Sequence, residues 1–264
     1  MNHYTDYLKN YYTRLLTLRH YAFRIDKILT DSITTIVNLE NIDDDFLLHG
    51  SRLAISDWTS NPSEIFSTGI RVRTLKNDYE QEIQTIISQE FGFAFAQSFE
   101  ALETFMKDCI FNKISRNEDF KNSLKPKDPM NLQRNNMPDG DNLFIWVKKA
   151  CGKYFNEYSN KNNKVLNFTD FWKLIALVRH AITHSSSMIK KEKIEVKKWQ
   201  IFNSIFDHEE INPETIKIKL NRSTFNLASD QLAEFGFQIF KMLSLEENME
   251  WQDFRSNFSK TSVK

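Results

Sequence analysis

From Val72 to about Ile114, apolar side chains return every three or four residues: Leu75, Tyr79, Ile83, Ile86, Phe91, Ala94, Phe95, Phe99, Leu102, Phe105, Met106 and Cys109. That spacing fits a helix and not a strand. At ~1.5 Å per residue it predicts a rod on the order of 60 Å long. A helix of that length either crosses a large bundle or protrudes to meet a partner. Helical propensity drops at Gly92, which is the place for any bend.

Composition points the same way. Only 6 Gly and 5 Pro in 264 residues leave too few turn formers for an all-β fold. With 41% hydrophobic and 27% charged residues the chain is globular in character, and 22 phenylalanines predict a large aromatic core. The length fits one large domain, or a compact domain with appendages. A formal net charge of +0 gives no bulk sign of nucleic-acid binding, so an RNA site would have to be local. Cys109 and Cys151 stand alone without CxxC spacing, which suits a reducing compartment and argues against a disulfide framework or a zinc knuckle. No apolar run approaches the roughly 20 residues of a membrane span. The opening "MNHYTDYLKNYYTRLL" lacks the basic flank and apolar run of a leader. A soluble, cytoplasmic protein without a membrane partner is expected.

Along the chain, residues 2 to about 40 repeat Tyr4, Tyr7, Leu8, Tyr11, Leu15, Leu18, Ala22, Ile25, Ile28 and Leu29 at helical steps. The polar stretch after it reads as a connecting segment carrying one short helix, so residues 1–71 form an N-terminal helix and connecting segment. After the long helix, "RNEDFKNSLKPKDPMNLQRNNMPDGD" reads as a loop, and Asp141 to Phe155 as a third helix. The helix that follows is capped at Thr169 or Asp170. Alternation of Ile216, Ile218 and Leu220 with lysines, followed by Phe225 and Leu227 after a polar turn, predicts one small β-hairpin. A last helix covers Ser229 to Leu243. From Glu246 the tail is polar, with Trp251 and Phe254 as candidates to dock. The sum is a mainly α fold: a helical bundle over 72–245, a long N-terminal helix, one hairpin, and a tail at 246–264.

The stretch "DFWKLIALVRHAITHSSS", Asp170 to Ser187, carries the candidate chemistry. Phe171, Leu174, Ile175, Val178 and Ile182 form a narrow core stripe. Arg179 sits at its edge, and His180, Thr183 and His184 fall outside it. An arginine one step off a buried stripe is costly unless it meets a partner or a groove. Three readings stand at this point. Arg179 is a surface or salt-bridged residue beside solvent-facing histidines. Alternatively, His180 and His184, at i and i+4, are two ligands of a metal, with "DHEE" at Asp207 to Glu210 as the source of a third. The third reading takes Arg179 to His184 as one functional unit.

That unit, Arg179-His180-Ala181-Ile182-Thr183-His184, resembles the R-x4-6-H signature of the HEPN superfamily, in which Asn commonly follows the arginine. "SFEALETFM" at Ser98 to Met106 is similar to a stretch often found on a long earlier helix of such proteins. The order of a shorter helix, the motif helix, a strand pair and a closing helix matches as well. The resemblance covers roughly residues 72–245. It implies an antiparallel four-helix HEPN-like bundle and metal-independent endoribonuclease chemistry without a cofactor. In that chemistry a 2′-hydroxyl attacks the adjacent phosphodiester to leave a 2′,3′-cyclic phosphate, in a toxin or antiviral-defence setting. Many HEPN domains are instead non-catalytic modules that bind a protein partner or a nucleotide.

On this reading His184 is the base or acid, since imidazole titrates near neutrality. Arg179 clamps the phosphate through paired hydrogen bonds, and His180 takes the place usually held by Asn. Lys190, Lys191, Lys193, Lys197 and Lys198 form an RNA-attracting rim or, equally, a solvated charge run. Glu100 and Glu103 are candidates to orient Arg179 or are exposed helix glutamates, and Thr183 is a further orienting candidate. Five residues turn a helix by ~500°, so Arg179 and His184 point about 140° apart. Either the helix ends between them, near Ser185-Ser186-Ser187, or two copies face each other across a two-fold axis. A homodimer through the motif helices is therefore expected. An antitoxin or other regulatory protein is a further partner the resemblance allows.

Overall fold

The computed structural model describes residues 2–57, 59, 64–124 and 132–252. The parts of the sequence expectations that fall on 125–131, and on Phe254 within the tail, lie outside these residues. The fold is mainly helical, with small antiparallel sheets. The helices are α1 (Thr5–Val37), α2 (Tyr79–Arg116), α3 (Glu118–Ser123), α4 (Gly140–Ala150), α5 (Gly152–Asn160), α6 (Phe168–His184), α7 (Trp199–Ile205) and α8 (Arg222–Glu246). Strands β1 (Leu47–Ser56) and β2 (Ile65–Leu75) pair as one hairpin, while β3 (Met188–Lys190), β5 (Thr215–Lys219) and β4 (Asp207–Asn212) make a second sheet in the order β3-β5-β4. No helix among the described residues is long and apolar enough to cross a membrane.

Packing divides the chain otherwise than at 71/72. One compact unit comprises residues 1–22 and 91–264, the other residues 23–90. The reason lies at the start of α1, where Tyr4, Leu8, Tyr11 and Leu15 are buried in the larger unit. The Tyr11 hydroxyl donates to the Leu232 carbonyl at 2.8 Å, and its ring stacks on Phe105. Gly236 permits that approach, because a Cβ there would stand 2.5 Å from the Tyr11 ring. Tyr4 donates to Glu247, which also pairs with Arg116. Burial first, and Glu247 second, raise the Tyr4 phenol far above its ordinary range.

The core of the larger unit is aromatic, as the phenylalanine count predicts. From α2, α4, α6 and α8 respectively, Phe99, Phe144, Trp172 and Phe235 meet in one cluster, in which Trp172 stacks on Phe144 at 4.8 Å and 9°. Phe91 stacks on Phe225 at 5.1 Å. Gly92 serves this packing too: a Cβ there would meet Ile182 Cγ2 at 3.2 Å.

Several boundaries differ from the sequence expectations. Residues after α1 form the β1–β2 hairpin rather than a connection with a short helix, and Val72 to Leu75 are strand, so α2 starts at Tyr79. Within the expected loop, Asn117 caps the short α3 by accepting the Phe120 N–H. The expected helix 141–155 is two helices, broken at Gly152, whose φ of +53° is the left-handed region. Asn167 caps α6, accepting from the N–H groups of Thr169 and Asp170. The lysine-alternating strand β5 pairs with the upstream β4 and with β3, while Phe225 and Leu227 belong to α8. That helix starts at Arg222 because Asn221 and Thr224 form a capping box. Trp251 packs edge-on against Phe237, with the Lys241 ammonium 4.4 Å from its ring centre.

Candidate active site

The lower turns of α6 bury Phe168, Phe171, Trp172, Leu174, Ile175 and Val178. Ala176, Arg179 and His180 fall on the adjoining stripe. Across from them, α2 presents Glu100, Glu103, Thr104 and Lys107, again at helical spacing. The first turn of α4, at Asp139, Gly140 and Asp141, closes the third side. Together these residues line an open cleft of about 610 Å³ floored by Phe99.

Arg179 lines this cleft. One terminal nitrogen donates to Glu100 Oε1 at 3.2 Å, and the guanidinium lies 5.9 Å from the centre of the Phe99 ring. The side chains are 29% and 48% exposed for Arg179 and Glu100. An ion pair with that much water around it is worth about 1 kcal/mol or less, so an incoming anion can displace Glu100 at small cost. Arg179 Nε is buried and makes no hydrogen bond. Glu103 accepts the Gly140 N–H at 3.0 Å. Burial pushes its carboxyl above the ordinary carboxylate range, against the opposing pull of that N–H and of Arg179. Lys107 pairs with Asp139, and the Trp172 indole donates to Asp141 at 3.0 Å. These contacts fix the α4 terminus against α2 and α6.

His180 lines the cleft, whereas His184 does not. Both histidines are exposed, with ring centres 4.9 Å apart. The Thr183 hydroxyl donates to the Arg179 carbonyl at 3.0 Å. Contrary to the first geometric expectation, α6 does not end between Arg179 and His184. It runs through His184 and stops only where Ser186 and Ser187 take φ of +50° and +65°. Within one chain the two side chains therefore leave the helix in different directions.

The lysines behave individually. Lys190 and Lys193 are exposed. Lys191 pairs with Glu210 at 2.6 Å, and Lys197 with Asp170 at 2.9 Å. Lys198 is buried at 5% exposure and pairs with Glu195, so it is a structural residue and not part of a rim. Of the "DHEE" stretch, Glu209 and Glu210 pair with Lys219 and Lys191, and His208 packs on Trp199 and Phe202. No group of three or more His, Cys, Asp or Glu that could hold a metal occurs among the described residues. The sequence reading missed Lys107, Asp139, Gly140 and Asp141, whose place in the cleft depends on contacts across more than 30 residues of chain. No protein-family model matches the chain, and neither does any curated protein or solved structure.

Proposed function

We propose that the chain is a metal-independent endoribonuclease with a HEPN-like bundle, acting in the cytoplasm in a toxin or antiviral-defence role. The observation that carries this reading is Arg179 in an open cleft, held by a weak exposed ion pair, on the same last turns of α6 as His180 and His184. Arg179 binds a phosphodiester by exchanging Glu100 for phosphate oxygens, and its fork stabilises the charge that builds there. The 2′-hydroxyl attacks phosphorus, giving its proton to one neutral imidazole, while the P–O5′ bond breaks and the 5′-oxygen takes up a proton from the other imidazole in its protonated form. The products are a 2′,3′-cyclic phosphate and a 5′-hydroxyl. The unbroken α6 between Arg179 and His184 supports a composite site: Arg179 and His180 of one copy work with His184 of a second.

The experiment is incubation of the full chain with total RNA and tRNA in EDTA, beside Arg179→Ala and His184→Ala. Wild type is expected to cleave with cyclic-phosphate ends, and each variant to lose about 100-fold or more, as for a charge-stabilising clamp or a general acid–base group. Absence of cleavage, or equal cleavage by all three, contradicts the proposal and favours a non-catalytic module binding a protein or nucleotide through the same cleft.

A further inference from the structure

The β1–β2 hairpin has no role in that chemistry, and its composition is unusual. Residues 47–56 and 65–75 include Arg52, Arg71, Arg73 and His49 but no aspartate or glutamate. Arg52 stands directly opposite Arg71 in the register, and Gly50 opposite Arg73. Side chains alternate along a strand, so Arg71 and Arg73 share one face with Arg52, while Ile70 and Val72 point the other way. All three arginines are exposed, and among the described residues none of them forms an ion pair. Two of the flanking acids have partners of their own. Asp57 caps Thr59 at the far end, and Asp44 pairs with Lys76 at the near end.

Like charges placed directly opposite on neighbouring strands destabilise a sheet, and an isolated two-stranded hairpin is marginal to begin with. Three unneutralised guanidiniums on one face of such a ribbon therefore carry a cost in the free protein. A ligand with a row of negative charges removes it. Arginine is suited to phosphate above other anions because its planar fork matches two oxygens at once. The complementary occupant is a phosphodiester chain rather than an isolated anion, since the three groups lie along one face.

We infer that this face of the hairpin, through Arg52, Arg71 and Arg73, binds the phosphate backbone of single-stranded RNA. The choice of RNA rests on the ribonuclease reading.

The test is fluorescence anisotropy of a labelled single-stranded RNA of about 20 nucleotides, titrated with full-length His184→Ala protein at salt from about 50 to 200 mM. The Arg52→Gln/Arg71→Gln/Arg73→Gln variant in that background is expected to bind about tenfold more weakly at the higher salt. Its salt dependence should fall by about two in log–log slope, at ~0.7 per lost phosphate contact. The corresponding triple Lys variant, which keeps the charges, should keep the slope. Urea midpoints of the Gln variant should equal or exceed the parent's, because a like-charge contact is relieved. Unchanged affinity and slope in the folded Gln variant would overturn the inference and point to a protein partner for this face. Equal competition by a DNA strand of the same sequence would overturn the choice of RNA. The readout is binding, so absent cleavage by wild type would fail the ribonuclease reading alone, whereas an unaffected Gln variant would fail this one alone.

Discussion

Arg179 is the residue on which sequence and structure converge. Its position at the edge of a buried stripe predicts a partner, and Glu100 is that partner. The pair was foreseeable because Glu100 is one of only two glutamates in "SFEALETFM". The role of Glu103 was not, since it depends on Gly140 arriving from 37 residues away. Lys198 was misread for a related reason: a run of lysines looks solvated until its burial and its pairing with Glu195 are seen. Glu103 makes a testable residue-level case. Burial raises its folded pKa above the unfolded one, so the folded chain holds the proton more tightly. Its contribution to stability is then lost as pH rises through the folded value. Glu103→Gln, which still accepts the Gly140 N–H, should have the higher urea midpoint at pH 7, with the gap closing towards pH 4. The reverse order at pH 7 would mean that Arg179 and the Gly140 N–H outweigh burial.

Elements were legible where one periodicity ruled and obscure where two overlapped. Tyr79 to Arg116 is a helix as its spacing demands, but Val72 and Leu75 also fit that spacing and were drawn into it. The competing signal, Ile70 and Val72 alternating with Arg71 and Arg73, marks strand β2 instead. Likewise β5 announced itself through its lysine alternation. Its partner β4 did not, because nearly all of β4 is exposed and carries no apolar pattern. Contacts between helices were beyond sequence reading, and two glycines separate the cases. Alanine in a helix gains about 1 kcal/mol over glycine. At Gly92 the new methyl meets the Ile182 Cγ2 methyl at 3.2 Å, too close by a few tenths of an ångström, so crowding offsets the propensity gain and Gly92→Ala should change stability by less than about 0.5 kcal/mol. At Gly236 it meets the rigid Tyr11 ring at 2.5 Å, and overpacking outweighs propensity. Gly236→Ala should destabilise by about 1–2 kcal/mol. Chemical denaturation of the two variants side by side checks the ranking, and a stabilised Gly236→Ala would show that Tyr11 yields freely.

At the scale of the molecule, the long helices α1 and α2 each contribute to both compact units. That could not be read from hydrophobic spacing, which reports that a face is buried and not what buries it. The larger unit gathers Arg179, Glu100 and the α4 terminus into one cleft and leaves His184 outside it. The catalytic account therefore depends on two copies completing each other. The most direct measurement mixes Arg179→Ala and His184→Ala proteins, each inactive alone, under conditions that exchange subunits, and follows RNA cleavage in EDTA. A mixed dimer holds one site with an intact arginine from one copy and an intact histidine from the other. Recovery of about a quarter of wild-type activity is predicted, because random exchange makes half the dimers mixed, each with one of two sites restored. No recovery, with exchange verified by labelled subunits, would contradict the composite site.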